Sequence, residues 1–93
     1  MRIVYVVAIK LLNSDCWEYA YTDNVCYHGW CKDAEDADSF WDIESAEKWF
    51  NNNKVELFRM ATIFRGEYDI KTICIKKVTF VEPIYETEKD LSF

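Results

Sequence analysis

The sequence predicts a two-layer α+β fold: an antiparallel sheet of four to five strands with one helix packed on one face. Three observations predict it. Runs rich in β-branched and aromatic residues occupy both ends of the chain, from Arg2 to Leu12 and from Tyr68 to Glu82. One apolar stripe at helical spacing, Ile43, Ala46, Trp49 and Phe50, lies between them. With only two glycines and one proline in 93 residues, there is little flexible linker.

Each element follows in order. Arg2 to Leu12 is nearly continuous in apolar character, with the run from Ile3 broken only by Lys10, and reads as a central strand buried on both faces. Asn13-Ser14-Asp15 is a turn cluster. Trp17, Tyr19 and Tyr21 then alternate with Cys16, Glu18, Ala20 and Thr22, which gives a second strand hairpinned to the first. Asp23-Asn24 turns the chain into a third strand over Val25 to Lys32, with Gly29 as a bulge or bend beside Trp30. Asp42 is the expected N-cap of the helix, and Phe40 or Trp41 offers a hydrophobic staple before it. Glu44 and Glu47 fall in the first turns, where the helix dipole favours them. Asn51-Asn52-Asn53 is expected to stop the helix, because Asn is a poor helix former that tolerates the left-handed cap.

Two further strands are expected, Val55 to Arg65 and, after a turn at Gly66-Glu67, Tyr68 to Glu82. Lys76-Lys77 interrupts the latter and suggests a bulge, a change of face or a charge-guarded edge. Pro83 ends it. Residues 1–83 therefore read as a single domain and 84–93 as a loosely ordered C-terminal tail.

Composition narrows the function. A chain that is 51% hydrophobic and 17% aromatic has ample apolar area to offset chain entropy, so it folds. A net charge of −6 disfavours direct binding to nucleic acid or to anionic membranes, since both need Lys and Arg. It favours a basic protein partner, and it serves solubility equally well. The apolar start, Ile3 to Leu12, superficially resembles a signal sequence but lacks a small-residue cleavage site.

Cysteine chemistry gives little. Cys16, Cys26, His28 and Cys31 offer three thiolates and an imidazole to zinc, but no paired Cys-x-x-Cys knuckle is present. In a strand, Cys26 and His28 point to one face and Cys31 to the other. A Cys–His nucleophilic pair lacks an orienting third residue. Cys74, between Ile73 and Ile75, reads as a small buried hydrophobe. No cofactor, metal or catalytic residue is expected.

The strongest candidate is the run from Asp33 to Glu47. It holds Asp33, Glu35, Asp36, Asp38, Asp42, Glu44 and Glu47 without a Lys or Arg until Lys48. Such spaced carboxylates can imitate phosphates before a basic nucleic-acid groove. Exposed ion pairs contribute only about 0–1 kcal/mol each, so affinity needs aromatic anchors. Trp30 and Trp41 are the nearest, with Trp17, Tyr19 and Tyr27 as further candidates.

The order of hairpin, Gly29-Trp30, an acidic stretch ending in Asp36-Ala37-x-x-Phe40, and a short helix carrying Ala46 and Trp49 resembles a pattern in small phage-encoded proteins, over roughly residues 1–54. In size, acidity and aromatic richness the chain is similar to phage inhibitors of bacterial defence, including anti-CRISPR proteins. The resemblance implies a non-enzymatic inhibitor in the host bacterial cytoplasm, bound to a defence nuclease with a basic surface. The alternative is a small structural or assembly protein that self-associates, for example as a homodimer, or joins a larger complex.

Overall fold

A computed structural model describes residues 2–23, 27–63, 67–80 and 83–93. Five strands form one sheet: β1 (Ile3–Leu11), β2 (Trp17–Thr22), β3 (His28–Cys31), β4 (Tyr68–Thr79) and β5 (Ile84–Asp90). Their order across the sheet is β3-β2-β1-β4-β5, and every pairing is antiparallel. Among the described residues one α-helix, α1 (Ile43–Thr62), lies across one face, and a one-turn 3-10 helix, Ala34–Asp36, precedes it. The predicted two-layer α+β class is what the chain adopts.

The apolar run of β1 is buried on both sides because the strand is central. Val7 and Ile9 face α1 and pack with Phe50, Leu57, Ala61 and Ile73. Val6 and Ala8 point the other way, to Tyr19, Ala34, Cys74 and Val78. The alternation of side chains along a strand thus feeds two cores from one continuous apolar sequence. Asn13, at φ 56°, makes the left-handed turn out of β1, a conformation Asn tolerates better than most residues.

The helix departs most from the sequence reading. It does not stop at Asn51-Asn52-Asn53 but continues to Thr62, so the expected strand from Val55 is helix, with Phe64, Arg65 and Gly66 outside the described residues. Three asparagines cost roughly 2 kcal/mol in propensity, less than the burial of Leu57 and Ala61 regains. Phe50, Leu57 and Ala61 prolong the stripe begun by Ala46, and all four are buried. Asn53 is also usefully bonded: its Nδ2 donates to the Trp49 carbonyl at 2.8 Å.

The C-terminal segment is the second correction. Residues 84–90 are not loose but form β5, paired to β4 from Ile84↔Thr79 to Asp90↔Cys74. Leu91 N donates to the Ile73 carbonyl at 2.9 Å, and Phe93 packs on Phe50 and Phe58 at centroid distances of 5.4 and 5.3 Å. The alternating Leu91 and Phe93 anchor a strand whose own residues are all exposed.

β4 is consequently an inner strand, and Lys76-Lys77 does not guard an edge. Lys76 is 6% exposed; its Nζ sits 3.8 Å from the Trp17 ring centroid and donates to Thr87 Oγ1 at 3.1 Å. The extra residue near it belongs to β5: Ile75 pairs Lys89 and Lys76 pairs Thr87, which leaves Glu88 bulged. Gly29 is no bulge either. It pairs regularly with Tyr21, whose ring lies over it: an added Cβ would meet Tyr21 Cε1 at 2.9 Å.

Candidate functional site

The acidic segment is built into the sheet rather than draped over it. β1 and β2 pair through Ala8↔Tyr19, Ile9↔Glu18 and Lys10↔Trp17. Beyond that point residues 38–40 take up the ladder. Asp38 N donates to the Ala20 carbonyl of β2 at 3.0 Å, and Phe40 exchanges two 2.9 Å bonds with Tyr5 of β1. The segment is a wedge between two splayed strands. Its N-terminal end is fixed as well: Ala34 is buried in the core opposite α1, and the Cys31 thiol donates to the Asp33 carbonyl at 3.4 Å.

This anchoring divides the predicted site residues. Asp33, Glu35, Asp36, Asp42 and Glu44 are exposed, and Trp41 is 94% exposed. Asp42 caps α1 as expected, accepting from Ser45 N at 2.7 Å. That bond to the Ser45 amide holds the Asp42 carboxyl below its usual range. Asp38 is different. Its carboxylate is turned inward, accepting from Thr22 N at 3.3 Å and from the Thr22 hydroxyl at 2.5 Å, so it positions the segment rather than presenting charge. Trp30 does not join the surface either: it packs against the helix-side core and Tyr68, 5.9 Å between centroids.

Of the two staple candidates, Phe40 does the packing, 5.4 Å from the Trp49 ring. Turning Phe40 inward leaves its neighbour Trp41 outward at the start of the helix. The other proposed anchors are largely spoken for. Trp17 stacks under Lys76, and Tyr19 is buried against Tyr85 with rings 5.9 Å apart. Burial, with the Tyr85 hydroxyl nearby, pushes the Tyr19 phenol up to about 12. Only Tyr27 among them is exposed, just before β3 and beside the second half of α1.

Among the described residues the thiols lie apart from one another. Cys26 lies outside the described residues. His28 faces α1 while Cys31 faces the opposite core, as the strand period expects, and Cys16 is exposed elsewhere. Burial, then the charges of Asp36 and Asp33, raise the Cys31 thiol to about 11, which keeps it protonated at neutral pH. Burial likewise raises Cys74. Among the described residues no three His, Cys, Asp or Glu side chains gather as a metal cage.

Two features escaped the sequence reading. One is an open groove of about 520 Å³ along the second half of α1, bordered by Tyr27, Asn53, Lys54, Val55, Glu56 and Arg59. The other is a polar chain through Asp38, Thr22, His28 and Asn53. Both depend on α1 continuing past Asn53, and the i, i+7, i+11 spacing of Phe50, Leu57 and Ala61 is the signal that marks the continuation. Among the described residues no helix is long and apolar enough to cross a membrane. The chain matches no protein-family model, and comparison with curated proteins and with solved structures finds no similar chain, so the site is read from its own chemistry.

Proposed function

We propose that this protein is a binding inhibitor without catalytic activity, acting in the manner of phage anti-CRISPR proteins on a bacterial defence nuclease in the host cytoplasm. Its acidic surface would compete with nucleic acid for a basic groove. The observation that carries the reading is Trp41, a large apolar side chain held 94% exposed beside Asp42 and Glu44 and close in sequence to Asp36 and Glu35. It is the most exposed large apolar side chain among the described residues, and tryptophan is the residue type most often found anchoring a contact. A central aromatic supplies the affinity that exposed charges lack, and the surrounding carboxylates supply attraction and orientation. The wedge pre-orders the segment, which reduces the entropy lost on binding.

The test is affinity capture from bacterial lysate at low and high salt, with three proteins: wild type, Trp41→Ala, and a combined Asp33→Asn, Glu35→Gln, Asp36→Asn, Glu44→Gln variant. A nuclease or nuclease complex retained by the wild type at low salt, released by salt and lost by both variants is the expected result. Retention unaffected by salt and by both variants would defeat the reading. Asp38 is left intact because its carboxylate holds the segment in place.

A second reading has one observation in its favour. The outer edge of the sheet, β5, is exposed along its whole length and includes Ile84 and Tyr85. Self-association or assembly through that edge would show as a concentration-dependent mass. Glu86, Glu88 and Asp90 place like charges along the edge and oppose a symmetric pairing.

A further inference from the structure

His28 is the chain's one histidine, and its ring is held at both nitrogens. Nε2 lies 2.9 Å from Asn53 Oδ1, and Nδ1 lies 3.1 Å from Thr22 Oγ1. The role of Asn53 is fixed, and that of Thr22 is divided between two neighbours. The Asn53 Nδ2 group is used on the Trp49 carbonyl, so Oδ1 faces the ring and can only accept. Thr22 Oγ1 has one hydrogen and two neighbours that need it, Nδ1 and Asp38 Oδ2 at 2.5 Å.

Three contacts therefore need three hydrogens. Nε2–H serves Asn53 and the Thr22 hydroxyl serves one of its two neighbours. The third hydrogen must sit on Nδ1 or on the Asp38 carboxyl. A neutral imidazole and an ionised carboxylate together carry one proton too few. The Glu56 carboxylate, 3.7 Å from Nε2, favours a positive charge on the ring, so the proton belongs on Nδ1.

The geometry points to His28 as an imidazolium that latches the acidic segment to the body of the protein, with Asp38 ionised behind Thr22. The surroundings suit a cation. Glu56 of α1 brings Oε2 within 3.7 Å of Nε2, and the Trp49 ring stands 5.3 Å away. The charged groups facing the ring, among the described residues, are Asp38 from the wedge and Glu56 from α1; β2 contributes the uncharged Thr22, and α1 also contributes Asn53 and Trp49. One proton thus ties together β2, β3, α1 and the wedge that carries the acidic surface.

The sign follows from the bonds. With the proton present, Thr22 gives its hydrogen wholly to Asp38. When Nδ1 loses it, a lone pair faces Thr22 Oγ1, and the hydroxyl can serve either Nδ1 or Asp38 but not both. The wedge is firm on the acid side of the histidine titration and loosened on the alkaline side. Its bearing on partner affinity rests on the inhibitor reading above; the charge state and the loosening do not.

The test uses the unmodified protein. Long-range ¹H–¹⁵N spectra of a single histidine report both ring nitrogens without assignment ambiguity. At pH 7 two protonated nitrogens of similar shift are expected. Raising the pH through the ring titration should speed exchange of the Asp38 and Phe40 amides about ten-fold beyond the intrinsic trend, matching loss of one bond to a charged group. Thr22→Val should abolish that coupling. A ring mainly neutral at pH 7, or amide protection that ignores its titration, would overturn the latch. Capture measured at pH 6.5 and 8.5 separates the two ideas. Binding that weakens several-fold with pH supports both, whereas pH-indifferent binding that the acidic-to-amide variant still abolishes sinks the regulation alone. A partner that is never captured sinks the inhibitor reading and leaves the spectroscopic result standing.

Discussion

Replacing Leu57 by alanine tests the part of the fold that least resembles its sequence reading. Leu57 is fully buried between α1 and the sheet, packed with Val7, Ile9, Phe50 and Ile73, while Val55, two residues earlier, is 76% exposed. Deleting a fully buried leucine side chain costs about 3 kcal/mol, within a range of roughly 2–5. Against a total stability of about 5–14 kcal/mol for 93 residues, that is a large share. The melting temperature should fall by roughly 12–24 °C. Val55→Ala removes a β-branched residue from an exposed helical position and should be neutral or stabilising by about 0.5 kcal/mol. In an extended strand, residues 55 and 57 would share one face and lose stability together. Urea titration of both variants, with equal m-values, measures the difference. A gap of about 3 kcal/mol is expected from the helix. Equal losses would refute it and restore the strand.

Three further outcomes follow from the same structure. Asp42→Ala should lower stability and helix content by circular dichroism, because Ser45 N loses its acceptor; the capped carboxylate's low titration places this contribution above the unfolded carboxylate range, and it is lost as pH falls through the folded value. On the alkaline side, Cys31 rises from 9.0 to about 11 and Tyr19 from 10.0 to about 12, so the protonated forms favour the fold. Stability should therefore be full below pH 9 and decline as pH climbs toward 11–12, with the midpoint of urea unfolding as the readout. Native labelling with a thiol probe at pH 8 should modify the exposed Cys16 before Cys31 and Cys74, whose thiols burial holds protonated, as peptide mapping over time would show.

Much of the architecture is carried by local pattern. The continuous apolar run of β1 announces a central strand because burial on both faces removes the usual alternation. The alternation of Trp17, Tyr19 and Tyr21 announces β2, and the Asp42 cap is legible because its role is purely local, spanning three residues to Ser45. The exposure of Asp33, Glu35, Asp36, Asp42 and Glu44 is likewise a matter of solvation that each carboxylate settles for itself.

What only tertiary structure decided lies where distant residues compete with local preference. The asparagines at 51–53 argue for a helix end, yet the sheet offers Leu57 and Ala61 a place to bury, and that burial outweighs propensity. The charged segment 84–90 has no apolar face of its own; it becomes a strand because β4 presents an open ladder and Phe93 finds Phe50 and Phe58. Asp38 and Trp30 are indistinguishable by sequence from their exposed neighbours. The splay of β1 from β2 turns Asp38 inward onto Thr22, and the alternation of β3 places Trp30 against the helix-side core. Trp41 is left in solvent by the same packing that draws Phe40 onto Trp49. Sequence by itself determined which segments carry apolar and acidic character; the long-range contacts decided which of those side chains the fold buries and which it leaves in solvent, because burial energy is shared between elements and no single segment contains it.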